Sequence, residues 1–81
     1  MRLDKFLKVS RLIKRRTVAN EACSGSHVTV NDKTAKPAYD LKVGDIIELY
    51  LGGKTSKFEV LSLSEHVSKE NASQMYRALS E

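Results

Sequence analysis

A chain of 81 residues that is 41% hydrophobic and 30% charged has the balance of one small folded domain, with too little length for a second core. No apolar run approaches the roughly 18 residues of a membrane span, Lys5, Lys8 and Arg11 interrupt any signal-like apolar stretch at the start, and the lone Cys23 has no partner for an internal disulfide or a Cys-based zinc site, so a reducing, cytoplasmic setting is expected. Charge is uneven: Met1 to Gly44 holds ten Lys or Arg against four acids, and Asp45 to Glu81 holds four against six, which puts the electrostatic footprint of a polyanion partner in the first half.

The chain opens on RLDKFLKVSRLIKRRTVAN, residues 2–20, with seven Lys or Arg and one acid threaded by large apolar side chains. At 100° per residue, Leu3, Phe6, Leu7, Ser10 and Ile13 fall along one side of a helix, with Lys5, Lys8, Arg11 and Arg15 roughly opposite. Continuing that helix would carry Lys14 into the apolar stripe, so a break is expected near Leu12 to Lys14. A second helix should follow, with Thr17 as N-cap and Glu21 near the positive end of its dipole. Val18, Ala19, Ala22 and Cys23 would form its buried stripe and Gly25 its end.

His27 to Val30 alternates as a strand does, and Asn31-Asp32 supplies a tight hairpin turn to a short return strand over Lys33 to Lys36. Pro37 ends that ladder. Leu41 to Asp45 reads as a turn into the apolar strand Ile46 to Leu51, Gly52-Gly53 reverses the chain, and residues 56–63 form another strand with Phe58 and Val60 on one face. The tail from about Lys69 to Leu79 carries enough helix formers to predict a terminal helix. The expected fold class is α+β: two short N-terminal helices packed on a small, mainly antiparallel sheet of four to five strands, as a domain over residues 1–64 followed by a helical tail over 65–81.

The basic helix face leads directly into Lys14-Arg15-Arg16, which precede a predicted helix start whose free amides and dipole favour a phosphate. That combination points to nucleic acid, with Arg16 placed to grip a phosphate bidentately or to stack on a base. Asp4 within this surface either caps helix one or pairs with a neighbouring arginine, or else accepts a hydrogen bond from a base or ribose. Two histidines, His27 and His66, do not make a metal site without further converging ligands, and Cys23 among small apolar neighbours reads as a core residue. With no phosphate-cradling glycine loop, nucleophile elbow or paired carboxylates, the chain is expected to be neither an enzyme nor a cofactor carrier. Sequence physics leaves RNA against DNA open, and a protein-interaction module that adds its residue 46–63 hairpin to a partner's sheet is the rival from another class.

Taken in order, Arg2 to Leu7, Lys14 to Ala19, Val28 to Asn31, Lys36-Pro37 and Val43 to Ile46 resemble an S-four-type (alpha-L) RNA-binding domain, over residues 2 to about 49. With the late Ala72 to Tyr76 segment, the whole chain is similar to the fifteen-kilodalton heat-shock protein group, in particular its ribosome quality control factor P branch. That resemblance implies binding to large ribosomal subunits carrying a stalled peptidyl-tRNA, contact with large-subunit rRNA and tRNA, and support of C-terminal alanine tailing by a separate tailing factor. With no heptad seam or extended apolar stripe left once the two helices are packed, the protein is expected to be a monomer off the ribosome. The same domain is also often attached to RNA-modifying enzymes, which leaves a module acting in trans with one of them as an alternative. Carried over by position, Arg2 and Asp4 fall in the opening motif, Arg16 and Thr17 at the start of helix two, and Asn31 at the hairpin. With Lys5, Lys8, Arg11, Lys14, Arg15, Asn20 and Lys36 they are the residues expected to meet RNA. The family pattern has Gly where Ser26 and Asp32 stand here, so the helix exit and the hairpin turn must be made without those glycines.

Overall fold

The computed structural model describes residues 1–65, 67–68 and 70–79. Leu3–Val9 form α1 and Arg16–Ser24 form α2; β1 is Val28–Val30, β2 Lys33–Thr34, β3 Ile46–Leu51, β4 Lys54–Val60 and β5 Tyr76–Leu79, with a 3-10 turn at Ala72–Met75. The five strands make one antiparallel sheet in the order β2-β1-β3-β4-β5.

The predicted stripe of α1 is the centre of the core: Leu3, Phe6, Leu7, Ser10 and Ile13 are all buried. Each large apolar side chain withdrawn in this way contributes about 1.5–3 kcal/mol. From the sheet, Val28 and Val30 of β1, Ile47 and Leu49 of β3 and Val60 of β4 meet them. α1 ends at Val9, earlier than the expected break, and Arg11 takes a left-handed φ of 64° in the turn that follows. Arg11 therefore leaves the helical row of Lys5 and Lys8.

Two expectations for α2 need correction. The helix starts at Arg16 with Arg15 in an extended conformation as N-cap, so Thr17 is its second residue and caps nothing. Arg15 rather than Thr17 marks the start because its carbonyl accepts the first intrahelical bond, from the Ala19 amide at 3.0 Å. Val18 is 44% exposed, because the stripe facing the sheet is Ala19, Ala22 and Cys23 and the 100° step carries Val18 off it. Gly25 ends the helix as expected, at φ −85°, and the left-handed position that follows belongs to Ser26 at φ 64°.

Asn31 and Asp32 both take positive φ, 53° and 68°, the two-residue hairpin conformation expected of them, and Gly52 and Gly53 do the same between β3 and β4. β2 stops at Thr34, two residues short of the expected Lys36. Pro37 has a further use: its carbonyl accepts the Asp4 amide at 3.1 Å and the Tyr39 carbonyl accepts the Leu3 amide at 2.8 Å. The loop after β2 thereby satisfies two of the orphan amides that open α1.

The expected terminal helix is a strand. Lys69, its proposed start, lies outside the described residues, as does His66. From Tyr76 to Leu79 the chain pairs with β4, placing Tyr76 opposite Val60 and Arg77 opposite Glu59. The open edge of β4 decides this against local helix propensity, because pairing supplies backbone partners along with two side-chain contacts: Tyr76 packs edge-on to Phe58 at 5.2 Å, and Arg77 pairs with Glu59. It also limits the rival use of the residue 46–63 hairpin. β3 is flanked by β1 over Ile47 to Leu49 and β4 by β5 over Lys57 to Val60, so among the described residues the open edges of this hairpin are confined to its tip.

A non-glycine residue at a left-handed φ costs about 1–2 kcal/mol, partly offset by the larger unfolded-state entropy of glycine. Ser26→Gly should therefore stabilise the fold by roughly 0.5 to 1 kcal/mol, read as a higher urea midpoint at unchanged slope. A lower midpoint would show that Ser26 makes a compensating contact.

Candidate nucleic-acid interface

Asp4 lies in the first turn of α1 with only 2% of its surface exposed, and every donor around it is aimed at its carboxylate. Arg2 donates bidentately, Nε to Oδ1 at 3.1 Å and Nη2 to Oδ2 at 3.3 Å. The Lys5 amide donates to Oδ1 at 2.8 Å, and Asn20 Nδ2 reaches Oδ2 at 3.4 Å from α2. Arg16 Nε stands 3.6 Å from Oδ2, an ion pair longer than a hydrogen bond. Arg16 and Asn20 are one helical turn apart, which is why both reach the same carboxylate.

Burial raises the Asp4 pKa, but the Arg2 and Asn20 hydrogen bonds, the Arg16 charge and the Lys5 amide together outweigh it, and the group sits below its usual range. It is ionised at neutral pH. The outcome is a buried negative charge whose two arginine partners each keep half of their side-chain surface in solvent. Two guanidinium groups are thus held at set positions on an open face, each with N–H groups to spare.

The other expected residues divide into groups. Lys14, Arg15 and Thr17 are exposed between the helices or at the start of α2, and Lys36 is exposed after β2. Among the described residues the three cations in that set have no ion-pair partner. Lys5 Nζ pairs with Glu65 at 2.9 Å, and Lys8 and Arg11 border a depression of about 450 Å³ shared with Glu65 and Val67. Asn31 has a structural assignment: its Oδ1 accepts the Ile46 amide at 3.0 Å and its Nδ2 donates to Asp45 at 3.1 Å, tying the β1–β2 turn to the start of β3.

Glu21, expected only as a helix-dipole partner, also belongs to this face. With Asp4, Arg16, Thr17 and Asn20 it lines an open groove of about 360 Å³. The signal was available in the spacing, since positions 16, 17, 20 and 21 share one helix face. Cys23 is on the buried side of α2, where burial first and the Asp4 charge second push its thiol up to about 11, so it stays a neutral core group. Among the described residues no three His, Cys, Asp or Glu gather as metal ligands, and no helix is long and apolar enough to cross a membrane.

The S4 domain profile matches residues 1–47, the span that holds Arg2, Asp4, Arg16 and Asn20. The chain belongs to the S4 domain family. Among its family relatives, the RQC P-site tRNA stabilizing factor of Streptococcus pneumoniae is 48% identical over 81 residues, all of this chain and 92% of that protein. The factor of the same name from Bacillus subtilis is 46% identical over 81 residues, covering 94% of its own length. In structure, heat shock protein 15 of Vibrio cholerae, described as trimeric, superposes with a TM-score of 0.89 at 30% identity, over 98% of this chain and 81% of that one. The last likeness reaches beyond the S4 span and takes in the tail strand.

Because its folded pKa lies below its unfolded value, Asp4 contributes stability that is complete above about pH 4 and is lost as the pH falls through the folded pKa. Asp4→Asn should cost about 2 kcal/mol at neutral pH, and the gap to wild type should close as both are taken toward about pH 2. Urea unfolding across that range measures it. A gap of constant size would mean that the amide fails for reasons other than charge.

Proposed function

We propose that this protein is a non-catalytic RNA-binding factor of ribosome-associated quality control. In this reading it binds large ribosomal subunits that carry a stalled peptidyl-tRNA, contacts rRNA and tRNA through the face built by α1, α2 and the basic turn between them, and supports C-terminal alanine tailing by a separate factor. Off the ribosome it is a monomer, since Leu3, Phe6 and Leu7 of α1 and Ala19, Ala22 and Cys23 of α2 are spent on the core and Val18 alone leaves no apolar seam on the helices. The observation that carries the reading is the pair of half-exposed guanidinium groups, Arg2 and Arg16, held on one buried carboxylate in a chain that aligns end to end with RQC P-site tRNA stabilizing factors.

Charge and geometry support the same surface. Lys14 and Arg15 stand beside Arg16 without ion-pair partners among the described residues, whereas on the outer face of the sheet Lys57 pairs with Glu48 and Arg77 with Glu59. One face has cations to offer a polyanion, and the other has neutralised its own. The start of α2 adds amide groups that no side chain caps. A holding role rather than a chemical one fits the groups present: the Asp4 carboxylate is saturated with donors and the Cys23 thiol is neutral and buried, so neither is poised to move a proton or attack a substrate.

Arg16→Ala removes one charge-assisted phosphate contact while leaving the buried stripe of α2 in place. Affinity for purified large subunits or tRNA should fall about tenfold, and the slope of log affinity against log salt should flatten by roughly 0.7 to 0.9. Arg2→Ala should act in the same direction. Lys54→Ala, at the β3–β4 hairpin, is the control and should bind as wild type. If Arg16→Ala binds normally while changes at the hairpin tip abolish association, the partner is a protein and the RNA reading fails.

A further inference from the structure

The basic face carries one acid whose presence the phosphate reading leaves unexplained. Glu21 is exposed, and among the described residues it has no ion pair or side-chain hydrogen bond. Near this face Asp4 is engaged by Arg2, Arg16 and Asn20, Asp40 by the Met1 ammonium at 3.0 Å and Glu65 by Lys5, while Asp32, also without an ion pair among the described residues, lies at the β1–β2 turn and does not line the groove. A free carboxylate repels phosphate, so whatever part of an RNA reaches the groove beside it must present donors and no negative charge. A base edge does so; the backbone does not.

We propose that the groove beside α2 takes one unpaired guanine of the bound RNA, whose Watson–Crick edge donates to the Glu21 carboxylate. The inference rests on the RNA-surface reading and adds a base preference to it. Guanine is singled out by its donor pattern. Its N1–H and exocyclic amine stand side by side, matching the two oxygens of a carboxylate, whereas adenine and cytosine place an acceptor next to their amine and uracil flanks its one N–H with two carbonyls. The groove, about 360 Å³, is in the range of small-ligand sites and open on one side, as a base splayed from a loop requires. Arg16 forms its wall. Anchored to Asp4 through Nε and half in solvent, its guanidinium offers a flat face on which a base can stack. Asn20 spends its Nδ2 on Asp4 and keeps its amide oxygen as a further acceptor.

The test uses the full chain and RNA hairpins of equal length and charge that differ in one unpaired loop base: guanine, inosine, adenine or uracil. Fluorescence anisotropy should show the guanine hairpin bound about fivefold or more tightly than the adenine one, with inosine, which lacks the exocyclic amine, in between. Glu21→Gln should reduce that preference to below about twofold without weakening the adenine hairpin, since the change removes a negative charge from a phosphate-binding face. Wild type indifferent to the loop base would overturn the proposal, as would a guanine preference that survives Glu21→Gln. Both outcomes leave the RNA surface standing. Failure of the wild type to bind any hairpin would instead remove that surface, and the guanine site with it.

Discussion

The Asp4 carboxylate is where the two helices, the basic surface and the opening of the chain are joined. An ionised carboxylate that is 2% exposed is tolerated only if its oxygens are fully engaged, and here they are engaged by residues 2, 5, 16 and 20. The requirement runs both ways. Asp4 needs the donors to stay charged in the core, and the arginines need Asp4 to stay at fixed positions and not sweep out the volume that long side chains normally explore. A surface of freely moving lysines would attract RNA equally well at a distance, but it would lose more side-chain entropy on contact. Holding two guanidinium groups in advance reduces that cost.

The rest of the fold keeps this pair in register. α1 is only seven residues long, well below the length at which a helix holds by itself, and it is fixed from outside: its first amides bond the carbonyls of Pro37 and Tyr39, and Leu3, Phe6 and Leu7 are buried against the sheet. α2 brings Ala19 and Ala22 to the inside, small enough for the helices to approach until Arg16 and Asn20 meet Asp4. The sheet completes the support with a polar outer face whose charges are paired across strands, Glu48 with Lys57 and Glu59 with Arg77.

Much of this could be read in the sequence wherever the signal was local. The stripe of α1, the Asn31-Asp32 and Gly52-Gly53 turns and the β3 strand all follow from periodicity or from residues that tolerate a left-handed backbone. What escaped depends on distant partners. The segment ending in Tyr76 to Leu79 has helical propensity, but its conformation is decided by the open edge of β4, some sixteen or more residues earlier in the chain. The engagement of Asp4 was half visible: a pairing with a neighbouring arginine is suggested by Arg2, whereas Arg16 and Asn20 become neighbours only once the turn through Arg11 folds α2 back on α1. Thr17, a good capping residue, drew the predicted helix start two residues too late, and Val18 was misplaced because its 100° step takes it off the Ala19, Ala22 and Cys23 stripe. Glu21 was overlooked as a site residue for a related reason, since its meaning comes from the groove it shares with Arg16 and not from its place in the helix.

Asp4 makes Arg16 effective by holding it in place. A double-mutant cycle on affinity for purified large subunits, combining Asp4→Asn with Arg16→Ala, measures that coupling. If Asp4 positions the guanidinium, Arg16→Ala should cost about tenfold in the native background but under about threefold in the Asp4→Asn background, where an unheld side chain has less to lose. An Arg16→Ala loss of the same size in both backgrounds would contradict the account, since it would make Arg16 an independent surface charge and Asp4 a matter of folding alone.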